Sequence, residues 1–170
     1  MALWFLDYVD SVTITMYKYT DPGALALYTA SERDQSRLEM ATIRVLVVDD
    51  YVPFRRFVCS TLSKRAELQI VGEASDGLEA VQKAEELQPD LIVLDIGLPT
   101  LNGIEAARKI RKLSPGSKIL FVSQEASADV VQEALDLGAL GYVVKSHAGG
   151  ELLAAVEEVC KGNRFTGKGL

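Results

Sequence analysis

Two apolar runs, each closed by acid, constrain this chain more than any other feature. Leu91-Ile92-Val93-Leu94 ends in Asp95, and Ile43-Arg44-Val45-Leu46-Val47-Val48 ends in Asp49-Asp50. Runs without polar alternation fit strands buried on both faces, as in a parallel sheet covered by helices. Pro99 and Asn102-Gly103 mark a turn directly after the first run. Side by side in one sheet, the two strands would deliver three carboxylates to the same edge. Carboxylates are hard oxygen donors that repel one another, so such a trio calls for a hard divalent cation, and Mg²⁺ suits it best.

From residue 43 onward, strand-like and helix-like segments alternate, which predicts a parallel sheet with helices on both sides. The first helix has Pro53 near its start, where a missing N–H costs little, and an apolar face of Phe54, Phe57, Val58 and Leu62. A second strand covers 69–74. The next helix covers 77–87, with Leu78, Val81 and Ala84 expected inward and Pro89 beyond its end. Asn102 followed three residues later by Glu105 has the form of a capping box for a third helix anchored by Ile104, Ala107 and Ile110. Residues 118–123 predict a fourth strand ending in Ser123, and 128–137 a fourth helix stopped by Gly138. Residues 141–145 predict a fifth strand carrying Tyr142 and Lys145. The last helix, 151–160, aligns Leu152, Leu153, Val156, Val159 and Cys160.

Length and charge narrow the function classes. A chain of 170 residues suits one domain with an appendage. With 18 Lys+Arg against 24 Asp+Glu, the formal net charge is -6, which argues against non-specific nucleic-acid binding. Cys59 and Cys160 lack metal-type spacing and fall on apolar helix faces, which predicts buried free thiols in a reducing cytosol. No stretch approaches the ~20 apolar residues of a membrane span. Residues 1–41 stand outside the alternation: the apolar start is interrupted by Asp7 and Asp10, and residues 31–39 are charged enough to be at most a frayed helix. They are read as a disordered extension or a misassigned start, 42–161 as the folded domain, and 162–170 as a C-terminal tail.

Asp49-Asp50 after the first strand, Asp95 after the third, Ser123 after the fourth, and Tyr142 with Lys145 on the fifth resemble the receiver domain of two-component response regulators, over about 43–160. The resemblance implies a flavodoxin-like (βα)5 three-layer sandwich with parallel strand order 2-1-3-4-5. It implies that Asp95 accepts a phosphoryl group from a sensor histidine kinase or phosphotransfer protein. Asp50, Asp95 and the Gly97 backbone carbonyl would hold Mg²⁺, with Asp49 acting mainly through a coordinated water. Lys145 would pair with Asp95 and then with the phosphoryl oxygens. Ser123 and Tyr142 would switch the face made by the fourth helix, fifth strand and fifth helix. The chain would be a cytoplasmic phosphoacceptor with slow self-dephosphorylation, not a turnover enzyme.

Some residues depart from the family pattern. Gln124 follows Ser123 where a small residue is usual, and Ser146 follows Lys145 where many members have proline after a cis bond, although the NarL/FixJ-like branch often lacks it. Gly97 and Glu125 occupy positions that tune phosphate lifetime in the family, and the lone His147 reads as a solvated side chain. That branch usually adds a helix-turn-helix domain after a linker. Here the residues after Cys160 resemble the start of that linker, so the expected output is a protein partner or a phosphorylation-dependent homodimer, with no direct nucleic-acid contact. Competing readings are weaker. A haloacid-dehalogenase-type phosphatase needs an acid two residues after the nucleophile, where this chain has Gly97. A dinucleotide module needs a glycine-rich loop, where this chain has two carboxylates. A receiver-like docking module that is never phosphorylated is the remaining alternative.

Overall fold

The computed structural model describes residues 42–168 together with three strands nearer the amino end. Two units divide between Ala41 and Thr42. In the first, β1 (Trp4–Tyr8), β2 (Ile14–Tyr19) and β3 (Leu25–Thr29) form an antiparallel sheet in the order β1-β2-β3. Its register sets Phe5 opposite Tyr17 and Tyr17 opposite Leu27. The sequence reading, tuned to the βα alternation, did not anticipate these strands. The frayed helix expected at 31–39 lies outside the described residues.

The second unit runs β4 (Ile43–Val48), α1 (Val52–Leu62), β5 (Leu68–Ala74), α2 (Gly77–Leu87), β6 (Leu91–Leu94), α3 (Gly103–Leu113), β7 (Lys118–Ser123), α4 (Ala128–Asp136) and β8 (Gly141–Val144). A 3-10 turn (Lys145–His147), α5 (Ala148–Lys161) and β9 (Phe165–Thr166) complete it. All pairings are parallel, in the order β5-β4-β6-β7-β8-β9. The expected 2-1-3-4-5 order is therefore present, with one further strand at its edge.

Alternation along each strand feeds two separate cores. Val45 and Val47 pack with Val93, Val122 and Val143 under α1 and α5, through Val58, Leu62, Leu152 and Val156. Leu46 and Val48 face the other way with Leu94, Phe121 and Tyr142, under Ala80 and Ala84 of α2, Ile104 and Ile110 of α3, and Val131 and Ala134 of α4. Burial on both faces is why the strands read as continuous apolar runs. The Asn102 side chain accepts from the Glu105 amide at 2.9 Å and caps α3, a contact generally worth about 1 kcal/mol. Arg111 and Lys112 in the last turn of α3 oppose its dipole.

Four local expectations need correction. Leu78 is 49% exposed, because α2 packs through Gly77, Ala80 and Ala84 instead. Small residues are required there: a Cβ on Gly77 would lie 1.9 Å from the Leu101 carbonyl oxygen. The fifth strand ends at Val144, so Lys145 opens the 3-10 turn and does not belong to the strand. Helix α5 begins at Ala148, three residues before the expected start. Within the segment read as a tail, Phe165–Thr166 form β9: Phe165 N donates to the Leu140 carbonyl at 2.8 Å and Gly167 N to the Tyr142 carbonyl at 2.9 Å. The Lys145–Ser146 bond is trans, as are all the described peptides.

Candidate functional site

Asp49 and Asp50, Asp95 and Lys145 follow directly on the carboxyl ends of β4, β6 and β8. The ladder continues one residue past each acidic strand: Asp49 N donates to the Ala74 carbonyl at 3.0 Å and Asp95 N to the Val48 carbonyl at 2.9 Å. That places both acids at a fixed height, 3% and 5% exposed, while Asp50 points to solvent. Glycine makes the close packing below Asp95 feasible, since a Cβ on Gly103 would fall 2.0 Å from the Asp95 carbonyl oxygen. A Cβ on Gly97 would lie 3.8 Å from Asp95 Oδ2, so this exposed residue borders the carboxylate without crowding it.

Carboxylate oxygens of Asp49, Asp50 and Asp95 come within 4.8 Å of one another. Lys145 Nζ reaches Oδ2 of both Asp49 and Asp95 at 2.7 Å. The ammonium also lies 4.8 Å from the centroid of the Phe54 ring, whose face favours a cation. Burial works against the charge on Lys145, but the bonds to Asp49 and Asp95 outweigh it and hold its pKa above the usual lysine value. For Asp49 the balance goes the other way. Burial raises its carboxyl pKa and the neighbouring Asp95 adds to this, more than Lys145 and the Tyr51 amide compensate. One cation shared between two buried acids does not neutralise both. With Asp50, three carboxylates face one ammonium, leaving two uncompensated negative charges. A hard oxygen set of that charge and span fits a small divalent cation, whose opposite ligands lie roughly 4.2 Å apart at Mg²⁺ distances.

Asp49 is the most tightly held of the three. Its Oδ1 accepts from Tyr51 N at 2.9 Å, its Oδ2 is taken by Lys145, and its carbonyl accepts from Arg55 Nη1 at 2.6 Å. Asp95 Oδ1 carries no protein hydrogen bond among the described residues, whereas Oδ2 is bonded to Lys145.

Ser123, 3% exposed, ends β7, and its Oγ accepts from Glu125 N at 3.2 Å. Tyr142 is fully buried in β8 and donates its hydroxyl proton to the Glu125 carbonyl at 2.8 Å. Its ring lies 6.3 Å from that of Phe121, and burial raises its phenol pKa. The loop after β7 is thus tied to Ser123 and Tyr142 through Glu125. Gln124 and His147 are exposed. Sequence reading placed Phe54 on the core face and passed over Arg55. The only available signal was position, both lying one helical turn after Asp49-Asp50.

The comparisons with known proteins agree with this geometry. The family described as response regulator receiver domain matches residues 45–157. Chemotaxis protein CheY of Thermotoga maritima is 37% identical over 118 residues, covering 69% of this chain and 98% of that protein. Response regulator protein VraR of Staphylococcus aureus is 36% identical over 121 residues, and the chain spans 58% of its length. A LuxR-family two-component response regulator of Aurantimonas sp. SI85-9A1 superposes with a TM-score of 0.70 at 34% identity, over 74% of this chain and 89% of that one. Strand order, acid cluster, paired lysine and a family match over most of its length together establish that this chain belongs to the response regulator receiver domain family.

Proposed function

We propose that this chain receives a phosphoryl group on Asp95 from a sensor histidine kinase or phosphotransfer protein, with Mg²⁺ in the acid cluster. The observation that carries the reading is Asp95 clustered with the other two acids and bonded to Lys145 at the strand ends of a receiver fold. Asp95 Oδ1, free of protein donors among the described residues, attacks phosphorus in line. The new P–O bond forms as the P–N bond of the donor phosphohistidine breaks, and the released imidazole nitrogen keeps that electron pair and takes up a proton. The product is an acyl phosphate. Asp50, Asp95 and the Gly97 backbone carbonyl would hold the metal. Asp49, whose oxygens already accept from Tyr51 N and Lys145, would act through a bound water. Bound Mg²⁺ supplies neutralisation of charge on the phosphoryl oxygens, the main requirement of such a transfer. Lys145 follows those oxygens as a second cation.

Ser123 then turns its hydroxyl to a phosphoryl oxygen and gives up Glu125 N. The loop moves inward and the Tyr142–Glu125 contact rearranges, which changes the face formed by α4, β8 and α5. That face would engage a protein partner or a second phosphorylated copy. The receiver portion is taken as 42–161, with 1–41 as an extension, working in the cytoplasm. No helix among the described residues is long and apolar enough to cross a membrane.

Incubation with Mg²⁺ and phosphoramidate, read by intact-mass spectrometry, tests the assignment. One phosphoryl group should appear on the unaltered chain and disappear with EDTA or in Asp95→Asn. An unaltered chain that takes up none under these conditions would leave a docking module as the better reading.

A further inference from the structure

Arg55 lies on the second turn of α1, outside the acid–lysine group, yet its side chain reaches that group's backbone. Nη1 donates to the Asp49 carbonyl at 2.6 Å, and Nε donates to Glu73 Oε2 at 3.0 Å. The Arg55 side chain is 16% exposed, against 51% for Glu73. Strand β4 ends at Val48, so Arg55 supplies the Asp49 carbonyl with a donor just where the ladder stops.

We propose that Arg55 is a positioning residue for the metal-binding loop, fixing the Asp49–Asp50 peptide so that both carboxylates address one cation. This rests on the phosphoacceptor reading above. With Arg55 in place, the amide, carbonyl and both carboxylate oxygens of Asp49 are all held. The exposed Asp50 side chain has no protein hydrogen bond among the described residues, so its direction depends on the peptide that Arg55 pins. The ion pair with the half-exposed Glu73 adds little stability by itself. Its effect is to turn the guanidinium edge so that Nη1 meets the carbonyl, a two-point geometry that lysine cannot reproduce.

Charge and geometry predict opposite signs for metal affinity. Arg55 is a cation beside a cation site, so if charge alone mattered, removing it would tighten Mg²⁺ binding. If it positions the loop, removing it weakens binding.

Titration calorimetry of the full chain with MgCl₂ decides between them, using Arg55→Met, Arg55→Lys and a control, Val58→Ala. The control loosens α1 from its core face without touching the loop. Positioning predicts that Arg55→Met weakens Mg²⁺ by about ten-fold, with Arg55→Lys also weakened although its charge is kept. The control should bind Mg²⁺ like the unaltered chain even where its Tm falls as far. Unchanged or tighter binding in Arg55→Met overturns the proposal, as does equal weakening in Val58→Ala. Phosphoryl uptake from phosphoramidate is measured in parallel at saturating Mg²⁺. An unaltered chain that binds Mg²⁺ in an Arg55-dependent way but takes up no phosphoryl group sinks the phosphoacceptor reading and leaves this assignment standing.

Discussion

The two ends of the parallel sheet use polar groups in opposite ways. At the amino end, Ser117 Oγ donates to the Pro89 carbonyl at 2.5 Å and shares a 2.7 Å bond with Ser114 Oγ, which in turn lies 3.2 Å from Gln88 Oε1. Gln88 itself sits at a φ of 44° and is steadied there by its side-chain amide, which donates to the carbonyls of Glu85 and Leu113. Lys118 Nζ closes the end of α5 through the Cys160 carbonyl at 2.5 Å. These partners all belong to the chain itself. At the carboxyl end, Asp49 and Asp95 share one ammonium, while Asp50, in the same acid cluster, faces solvent without a protein partner among the described residues. One end satisfies its polar groups internally and stabilises the fold. The other retains a charge imbalance that a bound cation can relieve.

Substitutions at the two ends should therefore fail differently. Asp95→Asn has the largest expected effect: loss of phosphoryl uptake by mass spectrometry, with the circular-dichroism spectrum unchanged. Lys145→Met comes next. It leaves Asp49 and Asp95 buried without their cation, and breaking such a pair costs about 3 kcal/mol. Urea unfolding in EDTA should show that loss, and added Mg²⁺ should restore more stability to the variant than to the unaltered chain. A variant insensitive to Mg²⁺ would break the contrast between the ends. Ser117→Ala removes a buried donor at the amino end and should cost about 1–3 kcal/mol in the same assay. Its phosphoryl uptake should match that of the unaltered chain; a loss would show that the two ends are coupled.

The smallest effect concerns a half-exposed ion pair on α2. Glu79, bonded to Lys83 and to Ser75 N, has its pKa held below the usual 4.5. A depressed carboxyl contributes stability that is present above 4.5 and lost as pH falls through the lower folded value. The pair is half-exposed, so solvent screening keeps this contribution under about 0.5 kcal/mol. Comparing Glu79→Gln with the unaltered chain across that window should show the gap closing as pH drops. A gap that persists below it would rule out titration of Glu79 as the cause.

Much of this was legible in the residues. Continuous apolar runs report strands buried on both faces, and an acid closing such a run reports a strand end at a ligand-binding edge. Asn102 and Gly138 announced the start of α3 and the end of α4 through backbone chemistry that is local. Leu78 misled because apolar periodicity does not say that an adjacent backbone comes too close for a large side chain, as Leu101 does at Gly77. Strand β9 was missed because a two-residue strand has no period of its own. It exists because β8 offers it an edge and Glu151 accepts from Lys168 N at 3.1 Å.

By itself, the sequence of this protein determined the order of the elements from β4 to α5, the faces most of them bury and the acids that end two strands, since all of these leave a pattern along short stretches of chain. Only the tertiary structure decided that Lys145 would divide itself between Asp49 and Asp95, that Phe54 would lie beneath it and that Arg55 would grip the Asp49 carbonyl. Those contacts join groups from separate strands and helices. Their distances come from how the layers pack, and local sequence carries no record of that.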